Sequence, residues 1–235
     1  MASNNIAQHL RTAASTVRRA VETGVAHLNT ENVELNGRTV RIDGKSMINF
    51  SSCSYLGLDQ HPALKQGAIE ATKRFGTQFS SSRAYVSLGL YEELEDLLGQ
   101  IFKAPVIATP STTLGHLSAL PVLIHANDAV ILDHQVHASV NMSVQILKSM
   151  GVRVEMVRHS NMDMLESRIK KLQHKYKRIW YLADGVYSMF GDYAPVVGLS
   201  SLMNQYECLH IDIDDAHGTG WTGENGQGSA KPWLP

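Results

Sequence analysis

The sequence predicts an α/β fold built on a doubly wound, mostly parallel sheet. After Phe50, short apolar runs alternate with helical stretches, at the spacing that parallel strands joined by crossover helices require. Composition agrees: 43% of the residues are hydrophobic and 18% charged, ordinary for a globular chain and wrong for a disordered one. At 235 residues there is enough chain to bury one large core. There is no internal repeat and no low-complexity segment.

The elements run in order along the chain. From Asn5 to Asn29, apolar residues recur three and four apart (Ile6, Leu10, Ala13, Val17, Val21), which predicts a helix with one apolar stripe. The runs ENVELNGRTVRI (31–42) and KSMINF (45–50) read as short strands. They are punctuated by Asn36-Gly37 and Asp43-Gly44, dipeptides that tolerate the positive φ of tight turns. Residues 1–48 are expected to form an N-terminal helical arm with short hairpins, and residues 49–235 the main domain. His61-Pro62 opens a helix to about Arg74, and 90–102 is a second. The expected strands are 106–109 (VIAT), 129–133 (AVILD), 152–157 (VRVEMV), 178–184 (RIWYLAD) and 208–214 (CLHIDID). The helices between them are expected at 112–125, 137–150, 161–175 and 196–206.

Several function classes are excluded. The net charge of −1 is wrong for a strongly basic nucleic-acid binder. Cys53 and Cys208 cannot build a disulfide framework and fit a reducing, cytoplasmic compartment. No apolar run reaches the ~20 residues of a membrane span, and the N-terminus lacks the apolar core of a secretory signal. Charge is also unevenly spread. From Ile179 to Ala230 there is no Lys or Arg against seven acids, a pattern suited to buried strands and site-lining loops.

Ligands in open α/β sheets sit beyond the carboxyl ends of the strands. Those ends deliver Thr109-Pro-Ser-Thr-Thr, Asp133, Asp184 and Asp214-Asp215, with His134, His137 and His217 close by in sequence. Three acids on one edge point to a site, although Asp is also a good helix cap. The segment PSTTLGH (110–116) begins a helix whose free N–H groups could hold an anion; taken alone it reads better as an ordinary Ser/Thr cap. Gly218-x-Gly220-x-x-Gly223 spells a dinucleotide fingerprint, but the residues after it are turn-like and open no helix. A metal centre drawn from Asp212, Asp214, Asp215, His217, His134 and His137 competes with these readings; no metal ligand is assigned.

Four segments together resemble one family: NFSSCSYLGLDQHP (49–62), DHQVHAS (133–139), DGVYSMFGD (184–192) and DDAHGTGWTGENGQG (214–228). They are similar, in order and in spacing, to the α-oxoamine synthases, which include the aminooxononanoate, aminolevulinate and α-hydroxyketone autoinducer synthases. These enzymes use pyridoxal 5'-phosphate to condense an amino acid with an acyl-CoA, with loss of carbon dioxide. The resemblance implies the fold-type I architecture and a homodimer. It implies that Asp214 pairs with the ring nitrogen, that His217 and Ser188 bond the phenolic oxygen, and that His137 stacks on the ring. Thr112 and Thr113 would then hold the phosphate, Asp184 would lie near the ring, and Arg83 and Cys53 would face the substrate. The catalytic set expected on this basis is His137, Asp214 and His217.

The family often has Asn at the position of Cys53, His at that of Tyr91 and Gly in the phosphate loop, differences that bear on substrate choice. The family's Schiff-base lysine is expected beyond residue 235, with the C-terminal small domain; Lys231, followed by Pro232, is not expected to replace it. On that expectation this chain alone is inactive. A non-catalytic dimerisation subunit and an aminotransferase-type reaction on the same fold are the alternative readings.

Overall fold

A computed structural model of the chain describes residues 2–80 and 82–234. The chain divides into two compact units, Met1–Gln78 and Phe79–Pro235.

In the first unit, helix α1 (Ala2–Glu22) ends before Thr23-Gly24, short of the expected Asn29, and Gly24 turns the chain at φ 68°. Strands β1 (Thr39–Ile42) and β2 (Lys45–Ile48) form an antiparallel hairpin in which Ile42 faces Lys45. Asp43 and Gly44 make the turn, both at positive φ (49° and 73°), the conformation that matches the twist of the flanking strands. Asn36-Gly37 makes no second hairpin. The Asn36 side-chain oxygen instead accepts the N–H groups of Arg38 and Thr39, both at 2.8 Å, and only the last four residues of the 31–42 run become strand. Helix α2 (Pro62–Phe75) starts on His61, whose Nδ1 accepts the Ala63 N–H, with Pro62 preset for the first turn. Strand β2 ends at Ile48, and the compact unit continues beyond it through α2 to Gln78.

The second unit begins with α3 (Gly89–Phe102), which stops where Lys103 adopts a left-handed conformation. The expected strand at 106–109 is not formed. That segment is tied by its backbone to side chains: Glu95 accepts the Ala108 N–H at 2.8 Å and Arg83 donates to the Ala108 carbonyl at 3.3 Å. Its Ile107 stays 82% exposed, so no apolar face draws it into a sheet.

Next come helix α4 (Thr112–Leu123), β3 (Ala129–Asp133), α5 (Ala138–Ser149), β4 (Arg153–Val157), α6 (Met162–Leu172), β5 (Ile179–Asp184), α7 (Val196–Gln205) and β6 (Leu209–Asp214). The strands pair in parallel in the order β4-β3-β5-β6. Alternation along each strand sends side chains to opposite faces. Ala129, Ile131, Ile179, Tyr181 and Ala183 pack with α6 and α7, whereas Val130, Leu132 and Leu182 pack with α4 and α5. The chain steps outward from β3 to β4, then crosses to β5 on the other side, so the order reverses between β3 and β5. A crevice opens at that reversal, at the carboxyl ends of the strands.

Part of the glycine-rich segment after β6 is packed around one carboxylate. Asp215 accepts the Ser229 hydroxyl at 2.7 Å and the Ala230 N–H at 3.1 Å. Gly185, Gly218 and Gly228 pack so tightly around it that a Cβ on any of them would overlap its carboxylate. A Cβ on Gly223 would likewise overlap the Gly228 carbonyl. The segment is a self-packed turn and opens only a single 3₁₀ turn at Glu224–Gly226.

Replacement of Gly218 with Ala is therefore expected to cost about 1–3 kcal/mol, the range for overpacking. Gly67→Ala on α2, where an added methyl meets nothing within 4 Å, should be neutral or stabilise by up to about 1 kcal/mol. Urea unfolding of the two variants checks both; equal stability would remove the packing constraint on Asp215.

Candidate functional site

β5 and β6 pair so that Asp184 and Asp214 stand side by side at the carboxyl edge. Both are buried, at 5% and 7% exposure. Their environments drive them apart. For Asp184, burial dominates and neighbouring carboxylates add to it, raising its pKa to about 7 even though it accepts the His137 N–H on both oxygens at 3.1 Å. Asp214 also suffers from burial, but His116 and the Ala216 N–H outweigh it and hold this carboxyl below the usual range. Asp212 lies two residues earlier on the same face of β6; burial pushes it up, and its Oδ2 is buried without a hydrogen-bond partner.

His116 comes from α4. Its Nε2 lies 3.1 Å from Asp214 Oδ2, close enough for an ion pair although too poorly aligned to count as a hydrogen bond. Asp214 is the main cause of the raised pKa of His116, with smaller contributions from Asp212 and Asp184. In the sequence this histidine ends the PSTTLGH segment and carries no assigned role. Its signal is helical spacing, since four residues past Thr112 is one turn further along the same side.

At the start of α4, Ser111 caps the helix by accepting the Leu114 N–H at 3.2 Å, and its carbonyl takes the Gly115 N–H at 2.9 Å. The N–H groups of Thr112 and Thr113 are left with no partner among the described residues. Unused N–H groups at the positive end of a helix form an anion seat. His137 caps α5 with its ring: Nδ1 accepts the Ser139 N–H at 3.2 Å and lies 2.7 Å from the Ser139 hydroxyl. Its backbone N–H, meanwhile, spans the crevice from the β3 side to Asp184 on β5.

Asp133, expected at the site, is committed elsewhere. It is fully buried and accepts from the Gln135 and Ser160 N–H groups, the Tyr181 hydroxyl and His159. His159 lies between two carboxylates, 3.0 Å from Asp133 and 2.5 Å from Asp192, with the Tyr187 ring edge-on at 4.3 Å. Burial opposes its charge, but Asp192 and Asp133 together raise its pKa. The sequence alone does not reveal this bridge, which ties the ends of β3 and β4 to the loop after β5. That loop carries Ser188, which is exposed, and Val186 and Tyr193 close it as a bridge. His217 sits in the turn after β6, its carbonyl accepting the Trp221 indole N–H at 2.6 Å.

Arg83 forms a two-pronged pair with Glu95 at 2.8 and 3.1 Å and lies over the Tyr91 ring. Arg83, helped by the Ala108 N–H, lowers the Glu95 pKa to about 2. Cys53 is an exposed free thiol of the first unit, and Cys208 is a half-buried one. Among the described residues no group of three or more His, Cys, Asp or Glu side chains could hold a metal ion. No helix of the described residues is long and apolar enough to cross a membrane.

No family model matches the chain. The 8-amino-7-oxononanoate synthase of Symbiobacterium thermophilum is 35% identical over 193 residues, 81% of this chain and 48% of that protein. The enzyme of the same name from Thermoanaerobacter pseudethanolicus is 34% identical over 191 residues, 80% of this chain and 47% of its own length. The chain thus spans about half the length of the curated relatives it matches. Among solved structures, serine palmitoyltransferase of S. paucimobilis, determined with pyridoxal phosphate and myriocin bound, superposes with a TM-score of 0.84 at 23% identity. That match covers 95% of this chain and 56% of the other. The Sphingomonas wittichii serine palmitoyltransferase gives 0.81 at 24%, over 97% and 55%. At such identities the likeness is one of fold, the fold-type I architecture. With the synthases matched in sequence over four-fifths of its length, the chain belongs to the α-oxoamine synthase family.

Proposed function

We propose that this chain carries the cofactor half of a pyridoxal-phosphate-dependent acyltransferase, which joins an amino acid to an acyl-CoA with loss of carbon dioxide. One observation carries the reading: a buried, ionised Asp214 is linked through His116 to a helix whose first N–H groups are unused. A cation seat and an anion seat on one crevice suit a ligand with a protonated ring nitrogen at one end and a phosphate at the other. Pyridoxal phosphate, when bound, supplies an electron-withdrawing ring that stabilises negative charge on the carbon of an attached amino acid.

The chain's own residues do the rest. Thr112 and Thr113 would hold the phosphate through their N–H groups. Asp214 would keep the proton on the ring nitrogen, since an ionised carboxylate in a water-poor site favours the charged partner. His137 would stack on the ring, with Ser188 and His217 bonding its phenolic oxygen. Asp184 sits beside Asp214 and would hold a proton at neutral pH without adding a full second negative charge. A homodimer belongs to the same reading. Helix α3 leaves Leu90, Leu94, Leu97 and Ile101 partly exposed in one stripe, apolar surface that a second copy would cover.

Three outcomes are expected. Titrated with pyridoxal phosphate and followed by fluorescence quenching, the chain should bind it, and Asp214→Asn should weaken binding about 10–100-fold through loss of a charge-assisted bond. Unchanged affinity would take Asp214 out of its role. The folded chain holds the Asp184 proton up to about pH 7, the unfolded chain only to about pH 4, so this group's contribution to stability falls as pH rises between them. Asp184→Asn should therefore match the wild type near pH 4 and exceed it by about 2–4 kcal/mol at pH 8 in denaturant titrations. Sedimentation velocity should find a dimer; a monomer at all concentrations would contradict the pairing of copies.

A further inference from the structure

Asp214 has one oxygen to offer. Its Oδ1 accepts the Ala216 N–H at 3.1 Å, and its Oδ2 faces His116 Nε2 at the same distance. A ring N–H arriving at this carboxylate meets the oxygen that His116 already occupies. The titratable groups around His116 come from the neighbouring elements: Asp212 and Asp214 on β6, Asp184 at the end of β5, and His137 at the start of α5, beside Asp214. Protonated His116 and a protonated ring nitrogen are like charges competing for one buried acceptor, where screening by water is weak.

Resting on the proposed cofactor, we propose that His116 is a positioning residue that holds Asp214 until the ring docks, and that docking displaces one proton from His116 to solvent. The step forms and breaks no covalent bond beyond that N–H: the imidazolium becomes imidazole, water takes the proton, and Asp214 exchanges one cationic partner for another. Binding then tightens as pH rises through the range in which His116 titrates. Asp214 favours the protonated imidazole, which places that range above that of an ordinary histidine.

The test uses the whole chain and pyridoxal phosphate. Dissociation constants are measured by fluorescence quenching from pH 5.5 to 8.5, and protons are counted by calorimetry in two buffers of different ionisation enthalpy. The wild type should gain up to about tenfold in affinity per pH unit on the acid side, with release of about one proton. His116→Asn and His116→Gln, each checked for wild-type circular dichroism, should lose that proton and flatten the profile by one power of ten per unit. They should also bind more tightly than the wild type at pH 5.5. Slope that survives in both variants belongs to Asp184 and the ligand phosphate. A variant that keeps the wild-type slope, or weakens by one constant factor at every pH, overturns the role of His116. Failure of the wild type to bind, or full binding by Asp214→Asn, overturns the proposed function instead.

Discussion

Four carboxylates lie close together on one end of a buried sheet, and the molecule must keep each of them out of water without leaving it unsatisfied. The register of β5 on β6 creates this constraint by setting Asp184 beside Asp214, with Asp212 below on the same face. A bare buried carboxylate costs more than a domain's marginal stability can absorb. Each group meets that cost differently. Asp133 is surrounded by donors, Asp184 takes a backbone N–H and holds a proton to about pH 7, Asp214 takes a histidine, and Asp212 is driven towards its neutral form. Different solutions at neighbouring positions give neighbouring groups different charges.

The opposite edge shows the contrast. There Arg178 grips Asp128 through two hydrogen bonds at 3.1 and 2.7 Å, a closed pair with nothing left to offer a ligand. One face of the sheet is mostly packing: α6 and α7 lie on Ile131, Ile179 and Tyr181, and its carboxyl end is closed by Asp133, which takes the Tyr181 hydroxyl and His159. Asp184, Asp212 and Asp214 lie on the face under α4 and α5, where the helix starts reach the crevice. The His159 bridge serves this plan, anchoring the loop after β5 to Asp133 so that the loop has a fixed origin.

Alternation of apolar runs and helices makes the sheet, its four parallel strands and their crossover helices legible in the sequence. So is the gathering of acids at strand ends. The 106–109 run misleads because VIAT has strand composition, whereas the backbone of its Ala108 is taken by Arg83 and Glu95, residues distant in sequence. Asp133 resembles Asp184 and Asp214 in its place at a strand end, and only the positions of Tyr181 and His159 separate it from them. The Gly-rich segment spells a dinucleotide fingerprint because glycine marks close approach of any kind. Here Asp215 closes on Gly218 and Gly228, and the segment's own backbone closes on Gly223 and Gly226. His116 escapes notice for the opposite reason: helical spacing sets it on the side of Thr112, but a histidine inside a helix has no partner to point to until its opposing strand is known.

Helix α4 also acts as a ruler. Its first free N–H groups and His116 are four residues apart, about 6 Å along a rigid axis. A molecule bridging the helix start and the Asp214 carboxylate is thereby measured for length before any side chain inspects its chemistry. Shape selection of this sort tolerates changes in the surrounding loops, because the scale is set by backbone geometry. It also means that evolution could alter what reacts at this edge while leaving unchanged the size of what is admitted.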